Sequence, residues 1–407
     1  MPARYLLVGG GLAGAKAAEQ LRRQDAQAAI TLVSDEAALP YDHPPLSKEF
    51  LRGEWPRERV FFQTESYYRE QGITLRLGAP AQRLDLSSKR VTLADGATLE
   101  FDKLLLATGA RPRKLRVPGA ALPGVHYLRT LSDCEALRDE ARRGRRAVVI
   151  GAGFIGMEVA ASLTQLGVQV TVLEAAPSIW SRFLDERLAG HFQRYYESKG
   201  ISFRVGVTPT AVQGEERARA VTTASGEEIP CDFVCVGVGI EPNTELAAEA
   251  GLKVENGVVT NEHLETSHPD VYAAGDVVSY YDPVFEKQRR VEHWGHAEYT
   301  GLLAAQNMAG ERSKYDLLSY VWSDIFGLHL EFAGEEKEYD QLLVRGSLAE
   351  NAFIVLYVKL GILRAYLAIN ASQREFPPLQ RMIRRKVDLS AKVSQLQDPG
   401  VELRSLL

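Results

Sequence analysis

Residues 5–14 have the sequence Tyr-Leu-Leu-Val-Gly-Gly-Gly-Leu-Ala-Gly, an apolar run followed by the glycine spacing G-x-G-x-x-G. Residues 147–156 repeat this pattern as Ala-Val-Val-Ile-Gly-Ala-Gly-Phe-Ile-Gly. Each copy predicts a strand, a tight turn and the start of a helix, whose unpaired N–H groups can bind a pyrophosphate. The sequence therefore predicts two dinucleotide-binding sites in one chain, and such a pair of sites indicates redox chemistry.

Both motifs are followed by an acidic residue after the next apolar run. Asp35 and Glu36 follow Ile30–Val33, and Glu174 follows Val170–Leu173. An acid about 20 residues beyond the glycines is the ribose ligand of this motif. Because a carboxylate accepts hydrogen bonds from ribose hydroxyls and repels a 2′-phosphate, Glu174 predicts NADH in preference to NADPH.

The bulk composition excludes several classes of protein. The chain has 407 residues, and 48 Lys and Arg against 53 Asp and Glu give a net charge of −5. This mild acidity argues against a general nucleic-acid-binding protein, which neutralises phosphates with basic residues. Three cysteines, Cys134, Cys231 and Cys235, are too few for a disulfide framework, so we expect a cytoplasmic setting.

The order of the motifs predicts an α/β chain in which one Rossmann-like domain interrupts another. The run at 111–118, with two prolines and four basic residues, and the run at 237–242, with two glycines and a proline, resemble linkers out of the first domain and back into it. The predicted segments are 1–110 and 238–312 for the first domain, 111–237 for the inserted domain and 313–407 for a third domain. Aromatic and β-branched runs in the third segment predict an α+β domain with an antiparallel sheet.

The late apolar stretch Phe353–Ile369 does not require a membrane. Lys359, Gly361 and Arg364 interrupt it. Charges in its middle and a turn residue favour a buried β-hairpin over a membrane-spanning helix. We therefore expect no membrane association.

Shorter motifs make the chain resemble a known family. They are Pro44-Pro45-Leu46-Ser47-Lys48, Ala107-Thr108-Gly109, Tyr272-Ala273-Ala274-Gly275-Asp276 and Trp322-Ser323-Asp324. In this order they resemble the oxygenase-coupled NADH-dependent ferredoxin reductases, two-dinucleotide flavoproteins of the glutathione reductase type that are distantly related to apoptosis-inducing factor. The resemblance spans essentially the whole chain and implies FAD at the first motif, NADH at the second and a C-terminal α+β domain.

The resemblance also implies roles for individual residues. The FAD-binding residues it implies are Gly9, Gly11, Gly14, Asp35 or Glu36, Lys48, Thr108, Arg111, Asp276, Glu292, His293 and Trp294. The NADH-binding residues it implies are Gly151, Gly153, Ile155, Gly156, Glu158, Glu174 and Gly239. Of these, the predicted catalytic residues are Lys48, whose charge would favour reduced flavin, Glu158, which can pair with it near the nicotinamide, and Trp294 at the flavin edge.

The electron acceptor is predicted from what the flavin region lacks. Residues 39–44 contain no cysteine, so thiol–disulfide chemistry is not expected. The family instead implies an acidic [2Fe–2S] ferredoxin, or a rubredoxin, that takes single electrons and serves an oxygenase or cytochrome P450. A basic docking patch is then needed, despite the net negative charge. Candidates for this patch are Arg381, Arg384, Arg385 and Lys386, or Arg57 and Arg59, whereas Arg142–Arg146 is interpreted as a solvated helix end.

Two other functions stay open on the sequence. One is a direct NADH oxidase or quinone reductase that uses the same cofactors. The other is a redox-responsive interaction protein, like apoptosis-inducing factor, in which NADH binding changes assembly. The sequence predicts a helix from Val291 through Ala304. His293 and His296 are expected to share a face of this helix, but no third ligand has suitable spacing, so no metal site is predicted. We expect a monomer or a homodimer.

Overall fold

The computed structural model describes residues 2–181 and 183–407. These residues divide into two units. The first unit comprises the chain up to Asp42, Arg57–Arg111 and Glu241–Tyr320. The second comprises His43–Pro56, Pro112–Ile240 and Val321–Leu407. This grouping is coarser than the four predicted segments, whose boundaries stay a prediction.

The first part of the chain alternates strands and helices before it turns to short strands. Its elements are β1 (Arg4–Val8), α1 (Leu12–Gln24), β2 (Ala29–Val33), α2 (Glu65–Glu70), β3 (Ile73–Arg76), β4 (Ala81–Asp85), β5 (Arg90–Leu93), β6 (Thr98–Glu100), β7 (Lys103–Leu106) and β8 (Ala110–Pro112). Short 3-10 turns at Pro44–Ser47 and Arg57–Val60 interrupt the loop between β2 and α2.

The middle of the chain repeats this order. Its elements are β9 (Val125–Tyr127), α3 (Leu131–Arg143), β10 (Arg146–Ile150), α4 (Phe154–Gln165), β11 (Gln169–Glu174), α5 (Glu186–Ser198), β12 (Ser202–Val205), β13 (Pro209–Gln213), β14 (Ala220–Thr223), β15 (Glu228–Pro230), β16 (Phe233–Val236) and β17 (Ile240–Pro242). A strand, a glycine turn and a helix thus occur twice, as β1 and α1 and again as β10 and α4.

The last part of the chain returns to the first unit and then forms the C-terminal sheet. Its elements are α6 (Glu245–Glu249), β18 (Val254–Glu255), β19 (Gly257–Val259), β20 (Val271–Ala273), β21 (Val278–Asp282), β22 (Lys287–Arg289), α7 (Trp294–Met308), β23 (Tyr320–Ile325), β24 (Leu328–Gly334), β25 (Gln341–Ser347), β26 (Ala352–Lys359), β27 (Ile362–Ile369), α8 (Phe376–Arg385) and α9 (Val393–Gln397). Further 3-10 turns lie at Gly275–Val277, Gln373–Glu375 and Leu403–Leu406.

A five-stranded parallel sheet forms the core of the first unit. Its order is β20-β7-β1-β2-β3, so the glycine turn after β1 lies at the carboxyl end of a central strand. β20 joins the sheet late, with Val271 opposite Leu104. Helices α1 and α7 pack so closely that a side chain at position 301 would overlap the backbone of Ala13, and Gly301 permits this approach. The two separated stretches of chain therefore contribute strands to one parallel sheet.

The second unit contains a matching parallel sheet and an antiparallel one. The parallel sheet has the order β12-β11-β10-β16-β9, with β10 in the centre. The antiparallel sheet has the order β23-β24-β27-β26-β25, and β26 and β27 form the predicted hairpin. The strands β26 and β27 are almost entirely buried, which explains why their sequence is apolar apart from Lys359 and Arg364.

Candidate functional site

The first glycine turn is shaped by backbone packing. Gly9 has a φ of +127°, and a Cβ there would overlap the carbonyl oxygen of Ala107. A Cβ at Gly14 would overlap the carbonyl oxygen of Gly9. A Cβ at Gly11, in contrast, meets no atom of the described residues within 4 Å. The outer glycines are thus required by the fold, and the middle one leaves room for a pyrophosphate.

The second turn has the same construction. Gly151 has a φ of +101°, and a Cβ there would overlap the carbonyl oxygen of Gly237. A Cβ at Gly156 would overlap the carbonyl oxygen of Gly151, whereas around Gly153 the described atoms leave at least 4 Å free. Gly153 is the N-cap of α4, as Gly11 is of α1. Since glycine cannot cap a helix with a side chain, the first N–H groups of both helices can bind an anion.

The acidic positions of the two motifs are not equivalent. In each copy the first glycine donates a backbone hydrogen bond to the residue across the sheet, Val33 in the first copy and Leu173 in the second. The next residue is Ser34 in the first copy and Glu174 in the second. Ser34 Oγ accepts a hydrogen bond from the backbone N–H of Glu36, at 3.2 Å. Counted from the residue that binds the first glycine, the acid of the first motif, Asp35 or Glu36, therefore lies at least one position later than Glu174 of the second motif.

Glu174 is fixed by the backbone of its own site. Its Oε2 accepts a hydrogen bond from the N–H of Ala152, inside the glycine turn, at 2.8 Å. Its Oε1 accepts one from the N–H of Ala176, also at 2.8 Å. A carboxylate oxygen has two lone pairs, so both can still accept hydrogen bonds from ribose hydroxyls. This geometry suits the predicted role of Glu174.

The two acids of the first motif differ in their surroundings. Asp35 is exposed, whereas Glu36 is half-buried and its Oε2 accepts a hydrogen bond from the Tyr41 hydroxyl at 2.7 Å. Tyr41 itself is buried in the loop beyond β2. The structure thus holds Glu36 in place more firmly than Asp35. Which of the two binds the adenosine ribose stays a prediction.

Lys48 and Glu158 lie together in the second unit. Lys48 Nζ is 2.7 Å from Glu158 Oε2, and their side chains are only 11% and 5% exposed. Lys48 follows the Pro44–Ser47 turn, in which two prolines favour the tight backbone. Glu158 lies in the second turn of α4, and its side chain is buried. The structure therefore forms the ion pair that the sequence suggested.

Buried serines with no role predicted from the sequence surround this ion pair. The hydroxyl of Ser47 donates to Glu158 Oε2, and the hydroxyl of Ser323 donates to Glu158 Oε1. Ser162 Oγ donates to the carbonyl oxygen of Ser47 at 2.6 Å. We call Ser47, Lys48, Glu158, Ser162 and Ser323 the Glu158 cluster. Nothing in the local sequence marks these contacts, because they join segments up to 165 residues apart.

Thr108 and Arg111 are tied to the returning chain. The hydroxyl of Thr108 donates to the carbonyl oxygen of Asn243 at 2.7 Å. The guanidinium of Arg111 contacts Glu241 at 2.8 Å, Asn243 at 2.9 Å and Glu245 at 2.7 Å. These contacts hold the outgoing and returning chain together within the first unit. A contact of either side chain with FAD stays a prediction.

Asp276 lies beside the first glycine turn. It belongs to the short 3-10 turn that begins at Gly275, where a Cβ would come within 3.2 Å of the Ala13 side chain on α1. The N–H of Gly275 donates to Thr300 Oγ at 2.9 Å, which fixes the turn on α7. Asp276 is half-buried and its carbonyl oxygen accepts from Arg290. Its position beside α1 is consistent with the predicted contact to FAD.

Helix α7 begins later in the chain than the sequence predicts. The sequence predicts helix from Val291, but the structure begins it at Trp294 because His293 has an extended backbone, with φ −106° and ψ 138°. Glu292 therefore precedes the helix, exposed, and pairs with Arg290 at 2.8 Å. Desolvation lowers the pKa of His293 below its usual range. Glu292 and His293 thus lie at the N-terminus of α7, not within it.

His293 is the N-cap of α7, three residues before His296, and the two rings are close enough to interact electrostatically. His296 lies inside α7, fully buried against the ring of Tyr280 at 4.6 Å, and burial lowers its pKa. Within the described ranges, His, Cys, Asp and Glu side chains do not form a group of three or more that could hold a metal ion.

Trp294 is the first residue of α7. It is half-buried, and its Nε1 donates to Asp42 Oδ1 at 2.7 Å. This bond fixes the indole plane in the first unit.

The remaining predicted NADH residues lie at the mouth of the second turn. Ile155 is 49% exposed at the start of α4, which is unusual for a large apolar side chain. Gly239 has a φ of +98°, and its carbonyl oxygen accepts a hydrogen bond from the N–H of Arg113 at 2.9 Å. Both residues border the carboxyl end of the sheet, where ligands of such sheets bind.

The cysteines are structural. All three are buried, and burial raises the pKa of Cys134 to about 12, of Cys231 to about 11 and of Cys235 to about 12. A thiol reacts as the thiolate, so these groups are poorly suited to disulfide chemistry.

The predicted basic docking residues lie on the surface. The exposed residues are Arg57, Arg59, Arg142, Arg143, Arg145, Arg146, Arg381, Arg384, Arg385 and Lys386. Four of them cluster at the C-terminal end of α8, whose opposite face is buried. Among the residues that the structure describes, the helices are too short or too polar to cross a bilayer.

Comparison with protein families matches nearly the whole chain. Residues 3–301 match the pyridine nucleotide-disulphide oxidoreductase family, and residues 320–407 match the Reductase C-terminal family. The first match includes both glycine turns. The second covers the C-terminal antiparallel sheet and α8.

Individual proteins are similar along most of their length. The ferredoxin–NAD(+) reductase component of the anthranilate 1,2-dioxygenase system of Burkholderia cepacia is 36% identical over 404 residues, 99% of each chain. Rubredoxin–NAD(+) reductase of Pseudomonas putida is 35% identical over 83% of this chain and 88% of that protein. The crystal structure of the covalent putidaredoxin reductase–putidaredoxin complex matches with a TM-score of 0.94 and 32% identity, over 99% of this chain and 98% of the matched chain. The predicted fold class and family are thereby confirmed: the chain belongs to the pyridine nucleotide-disulphide oxidoreductase family, among its ferredoxin–NAD(+) reductases.

Proposed function

We propose that this chain is an FAD-dependent NADH:ferredoxin reductase that delivers single electrons to a small iron–sulfur protein. The observation that carries this function is the pair of glycine turns in one chain of this family, each with a middle glycine that leaves space for a pyrophosphate. Bound FAD supplies the link between the two electrons of NADH and one-electron acceptors. The chain's own residues bind and orient the two dinucleotides.

On the first unit, the glycine turn after β1 holds the FAD pyrophosphate at the N-terminus of α1. Gly9 and Gly14 shape this turn, and Gly11 lets the phosphates approach the backbone. Asp276 lies next to the same helix and contacts the ribitol or pyrophosphate. Trp294 covers the flavin edge, held by its bond to Asp42.

On the second unit, the turn after β10 binds NADH. Glu174 accepts hydrogen bonds from the adenosine ribose, because the N–H groups of Ala152 and Ala176 already hold it in place. Lys48 and Glu158 act as one buried pair during hydride transfer, with the charge of each compensated by the other. NADH is therefore the preferred donor over NADPH.

The acceptor is an acidic [2Fe–2S] ferredoxin or a rubredoxin. Relatives are named for both kinds of partner. We propose the basic end of α8, with Arg381, Arg384, Arg385 and Lys386, as the docking surface, since these residues are exposed on an otherwise acidic protein. We also propose a cytoplasmic location, which the three buried free thiols support.

An anaerobic titration with NADH tests this function. The purified protein should show a flavin spectrum that one equivalent of NADH bleaches. It should then reduce cytochrome c only when a [2Fe–2S] ferredoxin or rubredoxin is added, and the rate should fall as salt rises. A protein without flavin would contradict the proposal. Equal NADH consumption without an iron–sulfur protein would identify a direct oxidase instead.

A further inference from the structure

The Glu158 cluster holds one carboxylate from two separate elements. Glu158 and Ser162 are four residues apart on α4, so they share a helix face that meets the Pro44–Ser47 turn. Ser47 and Lys48 belong to this turn and its end. Ser323 comes from β23, at the edge of the C-terminal sheet. The carboxylate thus joins the nucleotide-binding part of the second unit to its C-terminal part.

Each oxygen of Glu158 has its own hydroxyl donor. Ser323 donates to Oε1 and Ser47 donates to Oε2, and the same Oε2 forms the ion pair with Lys48 Nζ. With donors on both oxygens, the carboxylate cannot rotate about its last bond without breaking a hydrogen bond. Lys48 alone would leave this rotation free, because it contacts a single oxygen.

The burial of these groups makes the donors energetically important. Ser47 is 2% exposed, and Ser323 and Ser162 are 1% exposed. A buried charge with few donors is costly, and hydrogen bonds to a charged group are stronger than neutral ones. Ser162 donates to the backbone of Ser47, so it stabilises the turn that presents Ser47 and Lys48.

We propose that Ser323 and Ser47 are positioning residues for the reaction of NADH, which fix the Glu158 carboxylate and, through it, the Lys48 ammonium in one orientation. This inference rests on the proposed function and specifies how its NADH site is organised. Polar groups that are fixed before the reaction need no reorganisation during it, which is why their orientation affects the rate. The C-terminal domain thereby contributes a residue to the NADH half-reaction.

Stopped-flow reduction of the flavin by NADH tests the role of Ser323. Ser323→Ala should slow reduction at saturating NADH by about tenfold, with a much smaller change in the apparent Kd for NADH. Ser323→Thr retains the hydroxyl and should restore most of the rate. Ser279→Ala is the matched control, because Ser279 is a buried strand serine in β21 of the first unit. An unchanged reduction rate in Ser323→Ala overturns the proposal.

A double-mutant comparison separates positioning from general damage. In a Glu158→Gln background, Ser323→Ala should change the reduction rate by less than about twofold, because the carboxylate that it positions is gone. In the deflavinated protein, the same variants should show non-additive shifts of the thermal midpoint, which reports the contact without turnover. Additive effects in both measurements overturn the proposal. Ser47→Ala offers the same test at the other oxygen if Ser323→Ala does not fold.

The outcomes are distinct from those for the proposed function. If the serine variants slow flavin reduction as expected but the wild-type protein reduces no iron–sulfur partner, the proposed acceptor is wrong and the positioning role stands. If the partner is reduced and the serine variants are silent, the positioning role is wrong and the reductase function stands.

Discussion

The two glycine turns of this chain have the same backbone packing but different residues at the edge of the ribose site. In both, a Cβ on the first or third glycine would overlap a backbone carbonyl, whereas a Cβ on the middle glycine would meet no described atom within 4 Å. The residue that follows the acceptor of the first glycine's hydrogen bond, however, is Ser34 in the first copy and Glu174 in the second. Backbone packing therefore requires the first and third glycines in both turns, whereas the position of the acidic residue relative to that hydrogen bond differs between them.

This difference is informative about how tightly each site is organised. Both oxygens of Glu174 are held by backbone N–H groups, so the carboxylate is in place before a ligand arrives. Such preorganisation lowers the entropy cost of binding. It suits a substrate that binds and leaves in every cycle. At the first site Ser34 occupies this position, and the acids Asp35 and Glu36 come later in the loop.

Exchanging the third glycine should separate the two sites most clearly. In Gly14→Ala the new methyl group overlaps the Gly9 carbonyl, and in Gly156→Ala it overlaps the Gly151 carbonyl. Overpacking of this kind costs about 1–3 kcal/mol, which corresponds to a loss of about 5- to 150-fold in affinity where it distorts the binding turn. Gly14→Ala should lose FAD, whereas Gly156→Ala should keep FAD and lose reduction by NADH. The flavin content of the purified proteins and an NADH titration measure both effects.

The middle glycine of the second turn is the control for this prediction. Among the described residues, nothing lies within 4 Å of a Cβ at Gly153, so Gly153→Ala should leave the Tm unchanged. It should still weaken NADH binding, since the methyl group faces the space through which the pyrophosphate approaches. If Gly153→Ala bound NADH normally, the proposed placement of the pyrophosphate would be wrong.

A smaller effect is expected from Glu174. Glu174→Arg should lower kcat/KM for NADH by about tenfold and raise it for NADPH, because a cation replaces the carboxylate at the ribose. Steady-state reduction of ferricyanide with both nucleotides measures the ratio. Glu174→Gln keeps an acceptor oxygen for the backbone and should fall between wild type and Glu174→Arg. Equal use of both nucleotides by the wild-type protein would remove Glu174 as the selecting residue.

The smallest effect is expected at the equivalent position of the first turn. Ser34→Ala removes the acceptor for the N–H of Glu36, a loss of about 1 kcal/mol. Flavin affinity, measured by reconstitution of the deflavinated protein, should change by less than about tenfold. If Ser34→Ala released FAD as completely as Gly14→Ala, Ser34 would have the role that Glu174 has in the second turn.

The sequence predicted the fold wherever a local pattern determines it. The strand, turn and helix around Gly9 and Gly151 follow from spacing alone, and the hairpin of β26 and β27 follows from its apolar runs and the turn at Gly361. The start of α7 was predicted three residues too early, because its extended N-cap at His293 depends on packing and not on helix propensity. Local sequence patterns thus predict the presence of helices and strands better than they predict where each one begins and ends.

The site was only partly accessible from sequence. Lys48 and Glu158 could be paired because the family resemblance links their motifs. Ser323 could not be added, since its bond to Glu158 joins residues 165 apart and requires the register of β23. The equivalence of Ser34 and Glu174 likewise depends on strand register, which spacing does not determine.

The late arrival of β20 in the first parallel sheet has a consequence for how the chain folds. The edge of β7 stays unpaired until β20 has been synthesised, because Leu104 of β7 pairs with Val271 of β20. During synthesis from the N-terminus, the parallel sheet of the second unit from β9 to β16 is therefore complete while the first still has an open edge. Pairing across so long a loop is slow and leaves an unprotected strand exposed to aggregation. Production of this protein should depend more on slow translation and chaperones than its ordinary composition suggests.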